Sequence, residues 1–375
     1  MSLPRLVHVF PAFSTGGPEV RTSVLINTMT EFEHAIVALN GDVSGRARLT
    51  DPTVAVVSPD GAGPGHGRLR ALGRFLLGQR PDLLVTYGWG GTDAVLAARL
   101  MGLRPPLHIE DGFLPDEALG QKFARKQVRR LAFQLAAGLV VPSRTLERIA
   151  RTSWWLRAAQ VQYIPNGVDT DRFAPASSTD TLAARGRLGV TPDEIVIGTV
   201  GMLRPDKNHA RLIRVFSSLS RHVAARLVIV GDGHCRATLE QLASELSPEG
   251  RVVFAGSATD PAPYYRAFDV FVLSSDTEQM PLSVLEAMAA GLPVVSTDVG
   301  DVADMIRPPA GGLVSPRGDD RALEESILRL CREEKARREA GVENRKRALD
   351  QFSLVGMIES YRQRFRRHLT SNRSH

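Results

Sequence analysis

Two glutamates with seven residues between them, Glu278 and Glu286, stand in the segment SSDTEQMPLSVLEAMAAGLPVVSTD, residues 274–298. The apolar run before them, DVFVLSS, is typical of a buried strand, and ligands of parallel α/β sheets gather beyond the carboxyl ends of strands. Pro281 suits the first turn of a helix and Gly291 the residue just past its end, so the segment predicts a helix over 281–290. Glu278 then lies in the loop and Glu286 on the helix.

The start of this predicted helix is suited to an anion, because its N–H groups lack partners and the helix dipole is positive there. A rise of about 7 to 8 Å along the helix, plus the loop, predicts carboxylates roughly 10 Å apart on one wall. A nucleotide sugar presents matching groups in this order: ribose diol, diphosphate, hexose hydroxyls. The alternative is two solvated acids with no common ligand. The residues predicted to cradle the anion are Met280, Pro281, Leu282 and Ser283.

Short apolar runs alternate with longer amphipathic runs along the whole chain, which predicts parallel sheets covered by helices. We expect an α/β protein with two doubly wound, Rossmann-like domains, 1–165 and 166–352, joined within YIPNGVDTDRFAP at 163–175. The glycine-rich stretch 59–67 is predicted to be a surface loop. Predicted strands are 5–10, 34–39, 82–87, 106–111, 138–143, 196–201, 225–233, 251–256, 270–275, 293–297 and 311–315. Predicted helices are 18–30, 68–79, 92–102, 120–137, 208–221, 235–246, 281–290 and 320–340.

The composition of the 375-residue chain, 43% hydrophobic and 23% charged, is that of an ordinary globular protein. No apolar run approaches the roughly 18 residues of a membrane span. The first residues predict a strand and a glycine turn, not a signal peptide, so we expect a cytoplasmic protein. Cys235 and Cys331 are too few for a disulfide framework or a cysteine-rich metal site, and we expect packed thiols.

The net charge of +6 is unevenly distributed. Residues 1–165 hold 19 Lys and Arg against 13 Asp and Glu, and the remainder holds 28 of each sign. Within the basic half, the segment QKFARKQVRRLAFQLAAG at 121–138 predicts a helix with an inward apolar stripe of Ala124, Val128, Leu131 and Leu135. We expect its cations to contact an anionic membrane surface, and the alternative is an ordinary solvated face. These cations are Lys122, Arg125, Lys126, Arg129 and Arg130.

Taken together, the segment around Glu278 and Glu286 resembles the donor-binding signature of family 4 glycosyltransferases of the GT-B type. The resemblance implies that Glu278 contacts the transferred sugar and Glu286 the ribose. GTVGMLRPDKNHARLIRVF at 198–216 resembles the family's Gly-Arg-Leu…Lys loop, and Lys207 matches the lysine that neutralises the donor diphosphate. The family's arginine is replaced by Met202, and Arg204, two residues later, is the candidate substitute.

Three further stretches extend the resemblance over nearly the whole chain. STGGPEVR at 14–21 is similar to the first glycine turn of the family, where Gly16 and Gly17 would let the backbone approach a phosphate or acceptor. YIPNGVDTDRF at 163–173 is similar to the interdomain signature. FSLVGMIESYRQRF at 352–365 resembles the C-terminal helix that crosses back to the N-terminal domain, here predicted at about 353–375. The family architecture implies two domains that face each other across a cleft, with the acceptor on the N-terminal domain and the nucleotide sugar on the C-terminal domain.

The resemblance gives only candidates in the N-terminal half. Asp111 stands nearest the position at which many relatives have a histidine facing the donor sugar, and His108 is the second candidate, with a buried strand histidine as its alternative. Tyr87 and Trp89 follow a predicted strand in TYGWGGTD and are candidates for stacking on a sugar or lipid acceptor. Simple packing is the alternative for both.

The implied reaction is transfer of a hexose from a nucleotide sugar, with UDP as the expected nucleotide, with retention at the anomeric carbon and without a metal or other cofactor. Lys207, Arg204 and helix-terminal amides would meet the charge on the departing diphosphate. The expected acceptor is a glycan or lipid-linked glycan in polysaccharide, lipopolysaccharide or glycolipid biosynthesis, and nucleic acid is not an expected partner. Two alternatives remain: a non-catalytic nucleotide-sugar or polysaccharide-binding subunit, and another GT-B enzyme such as an epimerase.

Overall fold

The computed structural model describes residues 3–14, 16–59, 67–117, 120–191, 193–247 and 250–371. Residue contacts divide the chain into two compact units, the first comprising 1–166 with 357–375 and the second 167–356. Most of the glycine-rich stretch 59–67, predicted as a surface loop, lies outside the described residues.

The first unit is built on a seven-stranded parallel sheet with the order β3-β2-β1-β4-β5-β6-β7. Its strands are β1 (Arg5–Phe10), β2 (Glu33–Ala38), β3 (Ala55–Val57), β4 (Leu83–Tyr87), β5 (Leu107–Ile109), β6 (Gly138–Val141) and β7 (Val161–Tyr163). Its helices in the first part of the chain are α1 (Gly17–Thr28), α2 (Arg68–Gly78), α3 (Gly88–Leu100), α4 (Phe123–Leu135) and α5 (Arg144–Thr152).

The second unit is built on a six-stranded parallel sheet with the order β10-β9-β8-β11-β12-β13. Its strands are β8 (Ile195–Val200), β9 (Ala225–Val230), β10 (Val252–Gly256), β11 (Val270–Leu273), β12 (Val294–Thr297) and β13 (Gly312–Ser315). Its helices are α6 (Ser178–Arg187), α7 (His209–Leu219), α8 (Arg236–Leu246), α9 (Ala262–Tyr265), α10 (Leu282–Ala289), α11 (Val302–Ile306), α12 (Asp320–Arg332) and α13 (Glu334–Gln351). The last helix, α14 (Leu354–Ser371), begins in this unit and continues into the first.

Both faces of each sheet are covered, which explains the nearly continuous apolar strands. In β9, for example, Val228 packs into one core of the second unit, while Leu227 and Ile229 pack into the other. Successive side chains of a strand point to opposite faces, so a strand buried on both sides needs apolar residues at every position.

The predicted α/β class with two doubly wound sheets is confirmed. All eleven predicted strands are present, whereas β3, β7, α5, α6, α9 and α11 were not predicted. The helix predicted at 320–340 is two helices, because the backbone leaves helical geometry at Glu333, between α12 and α13. Short strands such as β3 and β7, of three residues each, leave little periodic signal in the sequence.

Candidate functional site

In the second unit the strand order reverses between β8 and β11, which are hydrogen-bonded neighbours. The chain leaves these two strands toward opposite sides, and such a switch point opens a crevice at the carboxyl ends. The loops that line it are residues 201–208 after β8 and 274–281 after β11. All donor-site residues predicted for the second half of the chain, except Glu286, lie in these loops or in the first turn of α10.

Lys207 and Glu278 come from the two different loops and meet in an ion pair. The Nζ of Lys207 lies 2.5 Å from Oε1 of Glu278, and the Ser275 hydroxyl donates to the same oxygen at 2.8 Å. The Lys207 and Glu278 side chains are 21% and 10% exposed, so the pair is partly shielded but reachable. The structure thus brings together the two residues that the sequence assigned to the diphosphate and to the sugar.

The backbone beneath Lys207 is fixed by contacts between the same loops. Asn208 adopts the left-handed conformation (φ 46°) and donates from its side-chain amide to Asp276 at 2.9 Å. The Ser274 hydroxyl lies 3.1 Å from the carbonyl oxygens of both Lys207 and Asn208. Polar loops that are cross-linked in this way present their side chains in one arrangement.

Arg204 lies in the same loop but has a different partner. Its guanidinium donates to Asp206 at 3.0 Å and the side chain is 39% exposed. Met202, at the position where the family pattern has arginine, is 43% exposed. Arg204 is therefore a cation near the crevice, held by its neighbour two residues along.

Glu286 lies in the middle of α10, with its carboxylate partly covered. The Tyr265 hydroxyl, from α9, donates to Oε2 of Glu286 at 2.7 Å and also lies 3.1 Å from the Ser283 carbonyl. Burial raises the pKa of Glu286 to about 7, and the bond from Tyr265 counteracts part of that rise. Tyr265 was not predicted, because it lies in a helix of four residues and no local pattern connects it to Glu286, 21 residues later.

The predicted helix boundaries were nearly right. α10 begins at Leu282, with Pro281 immediately before it, and Gly291 follows in the left-handed conformation at φ 72°. Met280 and Pro281 are buried, and Leu282 and Ser283 are half-buried.

Gly300, after β12, was missed by the sequence analysis. It has φ 55°, and an added Cβ would lie within 2.7 Å of the Glu278 carbonyl oxygen. Any other residue would push the Glu278 loop away, so this glycine sets the position of the loop. A glycine three residues after the predicted strand 293–297 was the available signal.

In the first unit, the carboxyl edge of the sheet carries a partly buried ion pair. Arg21 of α1 donates to both oxygens of Asp111, after β5, at 2.6 and 2.9 Å, and to the Asn166 side chain at 3.0 Å. Burial disfavours the charged form of Arg21, but Asp111 more than offsets this and raises its pKa. Arg21 and Asn166 lie in the segments STGGPEVR and YIPNGVDTDRF, but no role was predicted for either residue. Asp111 is thus a fixed carboxylate.

Gly16 and Gly17 lie at the start of α1, after β1. Gly16 has φ −73°, which any residue adopts, so its backbone conformation does not require glycine. An added Cβ there would contact the flexible Glu19 carboxylate.

Two of the aromatic or histidine candidates are buried in the sheet. His108 is fully buried in β5, with Nδ1 2.8 Å from the Thr86 hydroxyl, which is the strand-histidine alternative. Tyr87 is 1% exposed and stacks on Phe10 with ring centroids 3.9 Å apart. The stacking role predicted for Tyr87 is therefore wrong in this structure, because its ring is already covered. Trp89, in contrast, is half-buried.

The predicted orientation of the basic helix is wrong. In α4 the buried residues are Arg129, Ala132 and Phe133, whereas Leu131 is 56% exposed. Ala124 is also exposed. The helix presents a different face to the interior from the predicted apolar stripe, because Arg129 is buried in an ion pair with Glu117.

Most of the cations assigned to a membrane are held by the protein. Lys122 and Arg125 pair with Asp116 at 2.6 and 2.7 Å, and Arg129 is fully buried against Glu117. Arg130 donates to the Ser153 carbonyl at 2.7 Å. A surface of five free cations is therefore not present. Among the described residues, none of the helices has the length and apolarity to cross a membrane.

Two family models match consecutive parts of the chain. The model described as "Glycosyl transferase 4-like domain" matches residues 16–167, and "Glycosyl transferases group 1" matches residues 180–347. The second match contains Lys207, Glu278 and Glu286.

The curated relatives include several mannosyltransferases. A "GDP-mannose-dependent alpha-mannosyltransferase" of Mycobacterium tuberculosis is 37% identical over 44% of this chain and 42% of its own. A "GDP-mannose-dependent alpha-(1-6)-phosphatidylinositol monomannoside mannosyltransferase" of the same organism is 35% identical over 64% of each chain. The chain thus spans between about two fifths and two thirds of these relatives.

Solved structures match over almost the full length. Sucrose-phosphate synthase from Thermosynechococcus elongatus superposes with a TM-score of 0.81 at 21% identity, covering 98% of this chain and 100% of that one. HepE of Anabaena, in complex with UDP and glucose, gives a TM-score of 0.81 at 20% identity, covering 96% and 98%. At these identities the likeness concerns the fold.

Proposed function

Because the chain belongs to the family 4 glycosyltransferases of the GT-B type, we propose that it transfers a hexose from a nucleotide sugar to a glycan or lipid-linked acceptor, with retention at the anomeric carbon. The observation that carries this proposal is the Lys207–Glu278 pair at the switch point of the second unit. A cation and a hydrogen-bond acceptor from two loops are there prearranged for one ligand.

Donor binding would divide this pair between two parts of the ligand. A diphosphate competes with Glu278 for the Nζ of Lys207, because it offers charge-assisted bonds of similar strength. Glu278, still held by Ser275, is then available to accept bonds from sugar hydroxyls. Glu286 would accept from the ribose through the oxygen that Tyr265 does not occupy.

The proposed chemistry rests on fixed charges. As the bond between the sugar and the diphosphate breaks, negative charge grows on the departing phosphate, and Lys207, Arg204 and the first turn of α10 stabilise it. We propose that no metal is required. Activity that is lost in EDTA and restored by magnesium would contradict this step.

The names of the relatives bear on the donor. UDP was expected as the nucleotide, but several of the similar proteins are named for GDP-mannose, and another for UDP-galactose. We therefore propose GDP-mannose as the first donor to test and UDP-hexoses as the second.

The test combines binding with chemistry. Wild type, Lys207→Met and Lys335→Met, whose lysine is 82% exposed in α13, are compared in thermal shift with GDP and UDP and in donor hydrolysis without acceptor. Lys207→Met should lose the shift, and Lys335→Met should retain it. Glu278→Gln should retain nucleoside diphosphate binding but lose hydrolysis. Donor binding with no hydrolysis or transfer in wild type would instead favour the non-catalytic binding subunit.

We also propose peripheral contact with an anionic membrane, through a surface that differs from the basic helix face expected from the sequence. The solvent side of α4 and the adjoining turn, here called the outer face, exposes Phe123 (77%), Leu131 (56%) and Trp155 (65%). Arg130 lies 3.5 Å above the Trp155 ring, and Trp155 has φ 58°, which is rare for a bulky residue.

The charge of this region favours anionic lipid as the occupant. Residues 123–135 and 148–160 contain no acidic side chain and seven basic ones. Of these, Arg129 is buried and Arg125 is paired with Asp116, and the other five are at least partly exposed. Exposed aromatic and aliphatic side chains beside arginine are suited to the boundary between headgroups and acyl chains. The contact would therefore be apolar as well as electrostatic, in place of the purely basic surface expected from the sequence.

Vesicle flotation tests this contact. The wild type should float with vesicles rich in phosphatidylglycerol and more weakly with phosphatidylcholine. Replacing Phe123 and Trp155 together by serine should reduce flotation. Leu182, in α6, is 59% exposed, and the control substitution Leu182→Ser should leave flotation unchanged. Binding that disappears completely at high salt, or that ignores the double substitution, would contradict the proposed outer face.

A further inference from the structure

The inner side of α4 places one guanidinium in the interior of the first unit. Arg129 donates to both carboxylate oxygens of Glu117 at 2.9 Å each, and both side chains are fully buried. Its Nε lies 3.7 Å from Oε2 of Glu110, which is also fully buried. Buried charges of this kind are costly unless their partners stay in place, so the arrangement constrains all three residues.

Both carboxylates belong to the loop that follows β5. Glu110 is the first residue after the strand, and Glu117 lies seven residues later, in a short 3-10 turn. The Gly112 N–H donates to Oε1 of Glu110 at 3.3 Å. One guanidinium therefore holds the start and the far part of the same loop, here called the 110–117 loop.

Aromatic rings extend this contact to a second strand end. The Arg129 guanidinium lies 5.0 Å from the ring centroids of both Phe113, in the loop, and Trp89, just after β4. Such cation–π contacts are strongest when the cation is desolvated, as it is here. Arg129 thus connects the carboxyl ends of β4 and β5, which are neighbours in the sheet.

Asp111 is held between this centre and the Arg21 ion pair. It follows Glu110 directly, and its two oxygens accept from Arg21 at 2.6 and 2.9 Å. The 110–117 loop is therefore fixed from the side of α4 and from the side of α1. A surface loop without such ties would sample many conformations.

We propose that Arg129 is a positioning residue that sets the shape of the acceptor-binding surface through the 110–117 loop. The inference rests on the proposed function and on the family resemblance, which implies that the first unit receives the acceptor. Arg129 touches no reacting atom. It acts by holding Asp111, Phe113 and Trp89 in one arrangement, so that acceptor binding does not have to order the loop.

The test uses the full chain and two kinds of measurement. Hydrogen–deuterium exchange of peptides covering 107–117 reports on the loop in wild type, Arg129→Met, Arg129→Lys and Glu117→Gln. The control is Arg226→Met, which removes a partly buried Arg–Glu pair (Arg226 to Glu194, 3.0 Å) in the second unit. Transfer from GDP-mannose and UDP-glucose to a panel of octyl glycosides supplies KM for the donor and for the best acceptor.

The proposal expects Arg129→Met to speed exchange in the loop and to raise the acceptor KM on the order of tenfold or more, with the donor KM unchanged. Arg129→Lys keeps the charge but cannot form the bidentate contact with Glu117. Its loop exchange and acceptor KM should therefore lie between those of wild type and Arg129→Met. If Arg129→Met does not fold, Arg129→Lys and Glu117→Gln carry the comparison.

Two results would overturn the proposal: unchanged exchange in the loop, or equal rises in donor and acceptor KM, which indicate a general loss of structure. A wild type that transfers to no glycoside and hydrolyses no donor would count against the proposed function instead. The exchange measurement would still decide whether Arg129 holds the loop.

Discussion

At the scale of single residues, Glu286 has the most informative environment. Its pKa is raised from 4.5 to about 7, with burial as the largest cause, and Tyr265 donates to it at 2.7 Å. A carboxyl in this state holds its proton in the folded protein over a pH range in which the unfolded chain has lost it. The free energy of unfolding should therefore fall as the pH rises from 4.5 to about 7, and this contribution should level off above that.

Glu286→Gln removes this titration. We expect the stability of the variant relative to wild type to increase as the pH rises through the same window, because the wild type alone must ionise a buried group. Urea unfolding of both proteins across the window measures the difference. Identical pH dependence in the two proteins would show that Glu286 is ionised normally in the folded state.

At the scale of elements, α14 is an integral part of the first unit although it comes last in the chain. Phe365 is fully buried, with its ring 6.4 Å from those of His8 in β1 and Phe32, next to β2. Arg362 and Glu31 form an ion pair at 2.7 Å. The helix therefore packs against β1 and the residues before β2, and its loss would expose the core of the first unit.

Phe365→Ala should lower the free energy of unfolding of the first unit by about 3 to 5 kcal/mol, because it leaves a cavity among residues that cannot collapse fully. Denaturant titration followed by circular dichroism gives the change. Arg367→Ala, on the exposed side of the same helix, serves as the control and should be nearly neutral. A similarly small effect of Phe365→Ala would mean that α14 packs loosely.

At the scale of the whole molecule, the chain contains two units that each have their own cores. We expect calorimetry to resolve two transitions, since separate cores need not unfold together. GDP or UDP should raise the melting temperature of the second unit only. At a hundredfold excess over Kd, the ligand should increase the free energy of unfolding of that unit by about 2.7 kcal/mol. Phe365→Ala should lower the melting temperature of the first unit only. One transition that both changes move alike would show that the units unfold cooperatively.

The sequence by itself determined the fold class and named the candidate residues of the proposed donor site. Strand and helix periodicity is local, and the E-x7-E and lysine motifs lie in short segments next to strands, so Glu278, Glu286 and Lys207 could be named without coordinates. The same local patterns placed α10 to within a residue at its start.

Only the tertiary structure decided what those side chains contact. Glu286 accepts a hydrogen bond from Tyr265, which is 21 residues away in the chain. Asp111 pairs with Arg21, which is 90 residues away, and no local pattern encodes such pairs. The same limit explains the error in α4. Periodicity assigns charged residues to the solvent side, but Arg129 is buried because Glu117 and Glu110 lie where the fold brings them. A buried charge depends on its partner, and the partner's position is a property of the packed molecule.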